Sequence, residues 1–253
     1  MKPKQCLQLL KLPVCAITAA VVCAGLAGCN PVRKIERKAE QSLHVMLAPA
    51  KSYRVRLGLD MGVLKMKAQS AHIQGEAVEI RPGLVVDWLD ATVQDVSQTS
   101  EGIQFATGTY TANISEKNIE AYVLKHLPEI SSPWNKVVKR LEDVSLTVAP
   151  EGVTIALVAV TPITRLSAKV VGMPDLRPDG TVWIRAAEVH ALGFNLPEPV
   201  KNAIMGQFLN RPLLDMKQMG APISIESIVC GKAQMTITGD IDPEAARKFS
   251  AAK

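Results

Sequence analysis

The surroundings of Cys29 define its chemistry better than those of any other residue in the sequence. Its thiol follows two small residues, Ala27 and Gly28, at the end of an uncharged run. That run begins at Leu12, and lysines precede it. A basic start, an apolar middle and small residues where a peptidase grips the backbone are the three parts of an export signal. A helix of roughly 17 residues reaches about 25 Å, the short limit for a bilayer span, so an uncleaved membrane anchor is the alternative.

The end of this run resembles the lipobox of bacterial lipoproteins, with the residues Leu26-Ala27-Gly28-Cys29. The resemblance implies that the Cys29 thiol receives a diacylglycerol, that a signal peptidase cuts between Gly28 and Cys29, and that the new amine is often acylated. One acyl chain binds a membrane reversibly, whereas two or three hold firmly. We therefore expect residues 1–28 to be a signal peptide and Cys29 to anchor the mature chain in the lipid bilayer.

Two features after the anchor concern the membrane surface. Asn30 stands where an Asp would resemble the signal for inner-membrane retention. We therefore expect a cell-envelope lipoprotein, on the periplasmic face of the outer membrane if the organism has two membranes. A basic cluster follows, formed by Arg33, Lys34, Arg37 and Lys38. Each such charge contributes about 1 kcal/mol near anionic headgroups, and the position beside the acylated cysteine favours membrane contact over the alternative, a solvated helix face.

The charge of the mature chain argues against a nucleic-acid partner. The sequence has 29 Lys and Arg and 24 Asp and Glu, and its first 28 residues hold three of the basic residues and none of the acidic ones. The remainder carries 26 basic against 24 acidic side chains, a net charge of about +2. A nucleic-acid binder of this length normally shows a basic face. We expect no nucleic-acid binding, and the sequence identifies no protein partner.

The mature sequence shows no catalytic or metal-binding constellation, and we expect no enzyme activity, cofactor or metal. The four histidines stand apart without ligand spacing. Neither a Gly-x-Ser-x-Gly elbow nor a phosphate-binding glycine loop is present. Cys230, the one thiol outside the signal and anchor, lies in a strand-like run and is interpreted as a small buried hydrophobe. Triads assemble from distant residues, so missing motifs do not by themselves exclude catalysis.

Most of the mature chain has the alternation of apolar and polar residues that is typical of strands. Pro150-Glu151-Gly152 and Pro178-Asp179-Gly180 predict hairpin turns, because proline presets one dihedral and glycine accepts a positive φ. No regular strand–helix–strand alternation occurs, so we expect an α+β fold with a long, curved, mainly antiparallel sheet and a few covering helices. The predicted strands lie near residues 53–58, 72–80, 102–114, 144–148, 153–160, 165–172, 181–186, 223–229 and 233–239.

Three helices should interrupt these strands. Ser115 caps the first, which Pro128 should end. Ser132-Pro133 opens the second, and the third begins near Pro197. The apolar stripe of the second helix comprises Trp134, Val137, Val138 and Leu141. The predicted boundaries are 1–28 for the signal, 29–48 for the lipidated cysteine and a basic helical stalk, 49–241 for one α+β domain, and 242–253 for a tail.

The strand predicted at 153–160 is apolar on both faces. Ile155 and Leu157 lie on one face, and Ala156 and Val158 lie on the other. A strand of this kind must be covered on both sides, and three short helices are too few to cover both faces of a long sheet. One interpretation is a central strand packed by helices and by the curl of the sheet. The alternative is a lipid cavity lined by one of the two sets, and the sequence does not distinguish the sets.

Four segments follow one another in a recognisable order, namely an Ala-Pro-led strand at 48–55, a Ser-capped helix start at 110–119, a Pro-rich helix start at 196–200 and an Asn-Arg-Pro segment at 210–215. This order resembles the LmeA-like family of bacterial envelope phospholipid-binding proteins over about residues 48–240. The resemblance implies an elongated sheet-and-helix domain that binds glycerophospholipids without known catalysis. By analogy of fold, it also implies a groove like that of tubular lipid-binding domains. It assigns no individual ligand-contacting residue.

Two functions remain open from the sequence. The first is a lipid-anchored envelope protein that binds membrane phospholipid in an apolar groove, for lipid holding, lipid transfer or envelope maintenance. The second is a non-catalytic structural or interaction lipoprotein whose apolar surface docks a partner complex. Only the first predicts phospholipid in organic extracts of the purified chain.

Replacing Cys29 tests the anchor, because only a thiol can accept the diacylglycerol. We expect Cys29→Ser to leave an uncleaved protein or one released into the aqueous fraction. Membrane fractionation and mass spectrometry of the N-terminus measure the two outcomes. Cys23→Ser, which removes a thiol from the signal itself, is the control and should mature normally. Normal cleavage and membrane retention of Cys29→Ser would rule out the lipoprotein interpretation.

Overall fold

The computed structural model describes residues 32–33, 36–37, 39–41, 49–58, 67–99, 102–131, 139–191, 214–215 and 222–246. Strands dominate these ranges, and a long helix, Glu116–Ser131, lies between the fifth and sixth strands. The described residues of 32–41 and residues 243–246 are also helical. The strands, in chain order, are β1 (Ser52–Gly58), β2 (Lys67–Arg81), β3 (Leu84–Thr99), β4 (Gly102–Gln104), β5 (Thr107–Ser115), β6 (Arg140–Ala149), β7 (Gly152–Val160), β8 (Arg165–Leu176), β9 (Thr181–Ala191), β10 (Leu214–Asp215), β11 (Ser227–Gly231) and β12 (Gln234–Asp240).

The strands form two sheets. The first has the order β1-β2-β3-β5-β12-β11, with β4 paired to β3, and the second has the order β10-β9-β8-β7-β6. Every strand pair whose register the structure describes is antiparallel. Most neighbours in the sheets are consecutive in the chain, which is the arrangement that hairpin connections allow. The prediction of an α+β fold dominated by antiparallel sheet is confirmed.

The chain divides into two compact units. The first consists of residues 1–113, 216–226 and 237–253, and the second of residues 114–215 and 227–236. In the first unit, β2 and β3 contribute a buried aliphatic cluster against which Leu57, Phe105 and Ile241 pack. The members of this cluster are Ala68, Ala71, Val93 and Val96. The domain boundaries drawn from the sequence stay a prediction.

In the first unit, the N-terminal helical residues lie along β1, which among the described strands pairs only with β2 and is therefore an edge strand. On the open side of this strand, the backbone N–H of Val55 donates to Glu40 Oε1 at 3.0 Å. The N–H of Leu57 donates to Glu36 Oε1 at 3.1 Å. Ala39, between the two glutamates, is fully buried. The described part of the predicted stalk is thus docked on the sheet edge.

The long helix makes the same contact in the second unit, along the edge strand β6. The backbone N–H of Leu146 donates to Glu120 Oε1 at 3.2 Å, and the N–H of Val148 donates to Glu116 Oε2 at 2.7 Å. The outward carbonyl of Val148 accepts from the N–H of Ala233 at 2.9 Å. Backbone groups that an edge strand would leave unpaired are satisfied here by side chains and by a turn.

Both hairpin turns predicted from the sequence are present. Gly152 has φ +132° and Gly180 has φ +81°, values that favour glycine. A Cβ on Gly152 would also lie 2.5 Å from the carbonyl oxygen of Gly172 on β8. The first turn therefore requires glycine for two reasons, and it sets the register in which Val148 pairs with Val153.

Two helix predictions are wrong. The first helix does not end at Pro128 but continues to Ser131, because the missing proline N–H costs only one backbone bond in the last turn of a helix whose first half is fixed on β6. Leu141, assigned to the stripe of the second helix, lies in β6 and pairs with Ala159 of β7. The other stripe residues and the helix from Pro197 lie outside the described residues.

Three strand predictions also differ from the structure. Strand β3 was not predicted at all. The strand expected at 102–114 is broken at Phe105 and Ala106, where the chain passes from one stretch of β3 to another. The strand expected at 223–229 forms only from Ser227, while Ile223 makes a single bridge to Ile241. Polar interruptions in the alternation caused the first error, and pairing with a strand that had been missed caused the second.

Removing the carboxylate of Glu116 tests the importance of the edge contact. We expect Glu116→Ala to lower the free energy of unfolding by about 1–3 kcal/mol, since the buried N–H of Val148 loses its acceptor. Glu116→Gln keeps a side-chain carbonyl and should lose less. Urea denaturation gives these values, and Glu151→Ala in an exposed turn, expected within about 0.5 kcal/mol of wild type, is the control. Equal effects of Glu116→Ala and Glu151→Ala would contradict the role of the contact.

Candidate lipid-binding face

Strand β7 lies inside the second sheet, with β6 on one side and β8 on the other. Its side chains alternate between the two faces, and residues directly opposite one another on antiparallel neighbours share a face. The register therefore extends the face of Ile155 and Leu157, and that of Ala156 and Val158, across three strands. Comparing these extended faces shows which of the two candidate sets belongs to an apolar surface.

The face of Ile155 and Leu157 is aliphatic and buried, with exposed fractions of 6% and 3% for these two residues. Ile155 lies between Leu146 of β6 and Val170 of β8, and Leu157 lies opposite Ala168. Burial of each valine, leucine or isoleucine stabilises the unit by about 1.5–3 kcal/mol. We call this surface the aliphatic face; its other members on the three strands are Val148, Val153, Ala159, Leu166 and Gly172.

The opposite face is mixed in chemistry. Ala156 and Val158 are only half-buried there. Ala156 lies between Ser145 and Lys169, which are both exposed, and Val158 lies beside Glu142. An acyl chain on this face would meet charged and hydroxyl groups at each step. Taken by itself, strand β7 is apolar on both faces, as predicted. The three-stranded surface formed by β6, β7 and β8 is apolar on one face only.

The first sheet has the same two-faced construction. One row across its strands is apolar, and the adjacent row is polar. The apolar row comprises Val55, Ile73, Ala91 and Tyr110. The polar row comprises Arg54, Gln74, Asp90 and Thr111. Each unit therefore builds an apolar surface from alternation within strands that pair in register.

Buried reactive groups are held in their neutral forms. Burial raises the pKa of the Cys230 thiol, and the prediction that this residue is a buried hydrophobe in a strand is confirmed. Burial, followed by the charges of Asp240 and Glu226, raises the pKa of the Tyr110 phenol, whose O–H donates to the Ser224 carbonyl at 3.0 Å. A thiol and a phenol in these states pack and donate rather than act as nucleophiles.

A small polar cluster lies on the polar face of the first sheet. His72 Nε2 lies 2.7 Å from Asp90 Oδ1, and Gln74 Nε2 donates to the other carboxylate oxygen at 3.1 Å. Within the described ranges, no three side chains from His, Cys, Asp and Glu gather where they could hold a metal ion. The cluster therefore consists of one histidine, one glutamine and the carboxylate that both contact.

The anchor residues fall mostly beyond the described ranges. Gly28, Cys29, Lys34 and Lys38 lie outside them. Arg33 and Arg37 are described, and both are exposed on the helical segment that docks on β1. Among described residues, no helix is long and apolar enough to cross a membrane.

Sequence reasoning missed the flanking members of the aliphatic face and the glutamates that hold the sheet edges. The signal for Leu146, Val170 and Ala168 is available in principle, because each hairpin turn fixes which residues stand opposite those of β7. The signal for the edge contacts is a pair of glutamates four residues apart on a helix that precedes an edge strand. It becomes interpretable only when the edge strand is known.

Comparison with known proteins adds the identity of the ligand class. The family model described as LmeA-like phospholipid-binding matches residues 34–240, a range that includes every strand of both sheets. No curated protein and no solved structure matches the chain. The match agrees with the resemblance seen in the sequence and covers most of the length of the chain. The chain therefore belongs to the LmeA-like phospholipid-binding family, and phospholipid is a partner of this fold.

Proposed function

We propose that this protein is a lipid-anchored, non-catalytic protein of the cell envelope that binds phospholipid acyl chains along the aliphatic face of its second sheet. It holds the lipid or transfers it between membrane surfaces. Cys29 tethers the mature chain to the bilayer, and the exposed Arg33 and Arg37 meet anionic headgroups. Neither a cofactor nor a metal takes part.

The observation that carries this proposal is the contrast between the two faces of the sheet around β7. Ile155, Leu157 and their neighbours offer only aliphatic groups. Transfer of an acyl chain from water to such a surface is favourable by about 0.8 kcal/mol per CH₂ group. The family description supports phospholipid as the source of that chain.

Organic extraction of the purified chain tests the proposal directly. The chain produced from residue 30 onward, without acylation and purified without detergent, should carry phospholipid that mass spectrometry identifies. A bovine serum albumin sample processed in parallel controls for carry-over of lipid. A chain that is folded but free of phospholipid, both as purified and after incubation with vesicles, would overturn the proposal and favour the docking lipoprotein.

Substitutions of two adjacent residues of β7 separate the faces. Leu157→Ala should lower the free energy of unfolding by about 2–5 kcal/mol and reduce the bound phospholipid, because Leu157 belongs to the aliphatic face. Val158→Ala, one position along and half-buried, is the matched control and should change both quantities little. Thermal unfolding and lipid content measured on the same samples give the comparison.

A second control adds bulk instead of removing it. Ala156→Phe should leave the lipid content unchanged, because Ala156 stands among polar residues on the opposite face. Loss of lipid from Ala156→Phe and Val158→Ala, with lipid retained by Leu157→Ala, would place the ligand on the mixed face and contradict the assignment.

The basic cluster is tested on vesicles that contain anionic phospholipid. Replacing Arg33, Lys34, Arg37 and Lys38 by Gln in the non-acylated chain should weaken binding, by about 1 kcal/mol or less for each charge. The difference should shrink as salt is added, because exposed charges are screened within about 8 Å at physiological ionic strength. An equal change in net charge serves as control, made at the exposed positions Lys117, Lys125, Arg185 and Lys232. Equal binding of the two variants at low salt would show that the cluster is only a solvated helix face.

A further inference from the structure

The tip of the β7–β8 hairpin presents a hydrophobic side chain to water. Strand β7 ends at Val160 and β8 begins at Arg165, so residues 161–164 make the connection. Ile163 is 95% exposed, the highest value among the exposed large hydrophobic residues that the structure describes. One exposed aliphatic residue is common on protein surfaces, but its surroundings here make it informative.

Hydrogen bonds to Thr161 hold the tip in one conformation. The N–H and the hydroxyl of Thr161 both donate to the Thr164 carbonyl at 2.9 Å. The same hydroxyl oxygen accepts from the N–H of Ile163 at 3.3 Å and from that of Thr164 at 3.0 Å. Pro162, between Thr161 and Ile163, has a φ angle fixed by its ring. The turn therefore displays the isoleucine instead of letting it fold back on the sheet.

Cations surround the base of the tip. The backbone N–H of Lys139 donates to the last carbonyl group of β7 at 2.7 Å, which places this exposed lysine beside the turn. Arg140 and Arg165 flank the same end of β7 on the neighbouring strands. Both arginines form ion pairs with Glu142, and Arg165 Nη2 lies 3.8 Å from Asp143 Oδ2. Three cations against two carboxylates leave an excess of positive charge around an exposed aliphatic group.

We propose that this tip enters the surface of an anionic bilayer, with Ile163 among the upper acyl segments and Lys139 at the phosphate groups. The inference rests on the proposed function, because it makes the tip the place where phospholipid is exchanged. An apolar group flanked by cations suits the boundary between acyl chains and anionic headgroups. From the tip, β7 runs directly into the aliphatic face, whose first two residues on this strand are Ala159 and Leu157.

The shape of the tip favours a bilayer over a protein partner. Stable protein interfaces bury about 800 Å² on each partner and have an apolar centre. A connection of four residues with one aliphatic side chain, between Pro162 and Thr164, offers no patch of that size. A bilayer needs none, since a single side chain can enter it.

A fluorescent label at the tip tests the contact in the full, acylated protein reconstituted in vesicles of phosphatidylglycerol and phosphatidylethanolamine. Ile163→Cys supplies an accessible thiol, because acylation consumes that of Cys29 and Cys230 is buried. An environment-sensitive fluorophore there should brighten, shift to the blue and be quenched by phospholipids with a nitroxide near the headgroup. Glu151→Cys, in the exposed β6–β7 turn at the opposite end of β7, is the matched control and should remain in water.

Two results of the labelling would overturn the inference. One is a label at position 163 that stays as exposed to water as the label at 151. The other is a label at 163 that is protected only after envelope proteins are added and is not quenched by nitroxide lipid, which would identify a protein partner instead.

Uptake of phospholipid from vesicles tests the same tip with its native neighbours. Ile163→Ser should slow uptake roughly tenfold, the factor expected when the transfer free energy of part of one aliphatic side chain is lost, whereas Ile163→Leu should match the wild type. Neither change threatens the fold, because the residue makes almost no buried contact. Equal uptake by all three proteins, with phospholipid present in each, would overturn this inference alone. Absence of phospholipid from the wild type would overturn the proposed function.

Discussion

Both sheets depend on the hydrogen bonds that paired glutamates make to an edge strand. Four residues of α-helix advance about 6 Å and two residues of strand advance about 6.6 Å, so glutamates four apart match the spacing of alternate N–H groups. Glu36 and Glu40 use this match on β1, and Glu116 and Glu120 use it on β6. In each unit it joins a helix to an edge and closes a surface that otherwise pairs with other chains.

Fixing the edge strand also determines which face of the sheet each of the alternating side chains occupies. Once β6 is held by its outward N–H groups, Leu146 and Val148 have one face left to occupy, and the register carries that face across β7 and β8. The result in the second sheet is a surface of aliphatic side chains backed by a face of mixed chemistry.

The sequence predicted what depends on local chemistry. The turns at Gly152 and Gly180, the strand β7 and the antiparallel fold class all follow from residue type and period. It did not predict β3, in which aspartates interrupt the apolar pattern and Asp95 has φ +53°. Nor could it choose between the faces of β7, because the deciding residues, such as Lys169 and Leu146, stand on other strands. The sequence yields that information only after the hairpin turns are used to work out which residues of the neighbouring strands stand opposite β7.

The position of the glutamates along the chain has a consequence for how the protein reaches its fold. In each unit the helix comes before the edge strand that it covers, and the sequence separation is 15 from Glu40 to Val55 and 26 from Glu120 to Leu146. Contacts at such short sequence separations form at low entropic cost. A chain that emerges N-terminus first can therefore seal its outermost strand before the next hairpin arrives. Each growing sheet then has one open edge at a time, which reduces the opportunity for a newly delivered chain to aggregate with its neighbours.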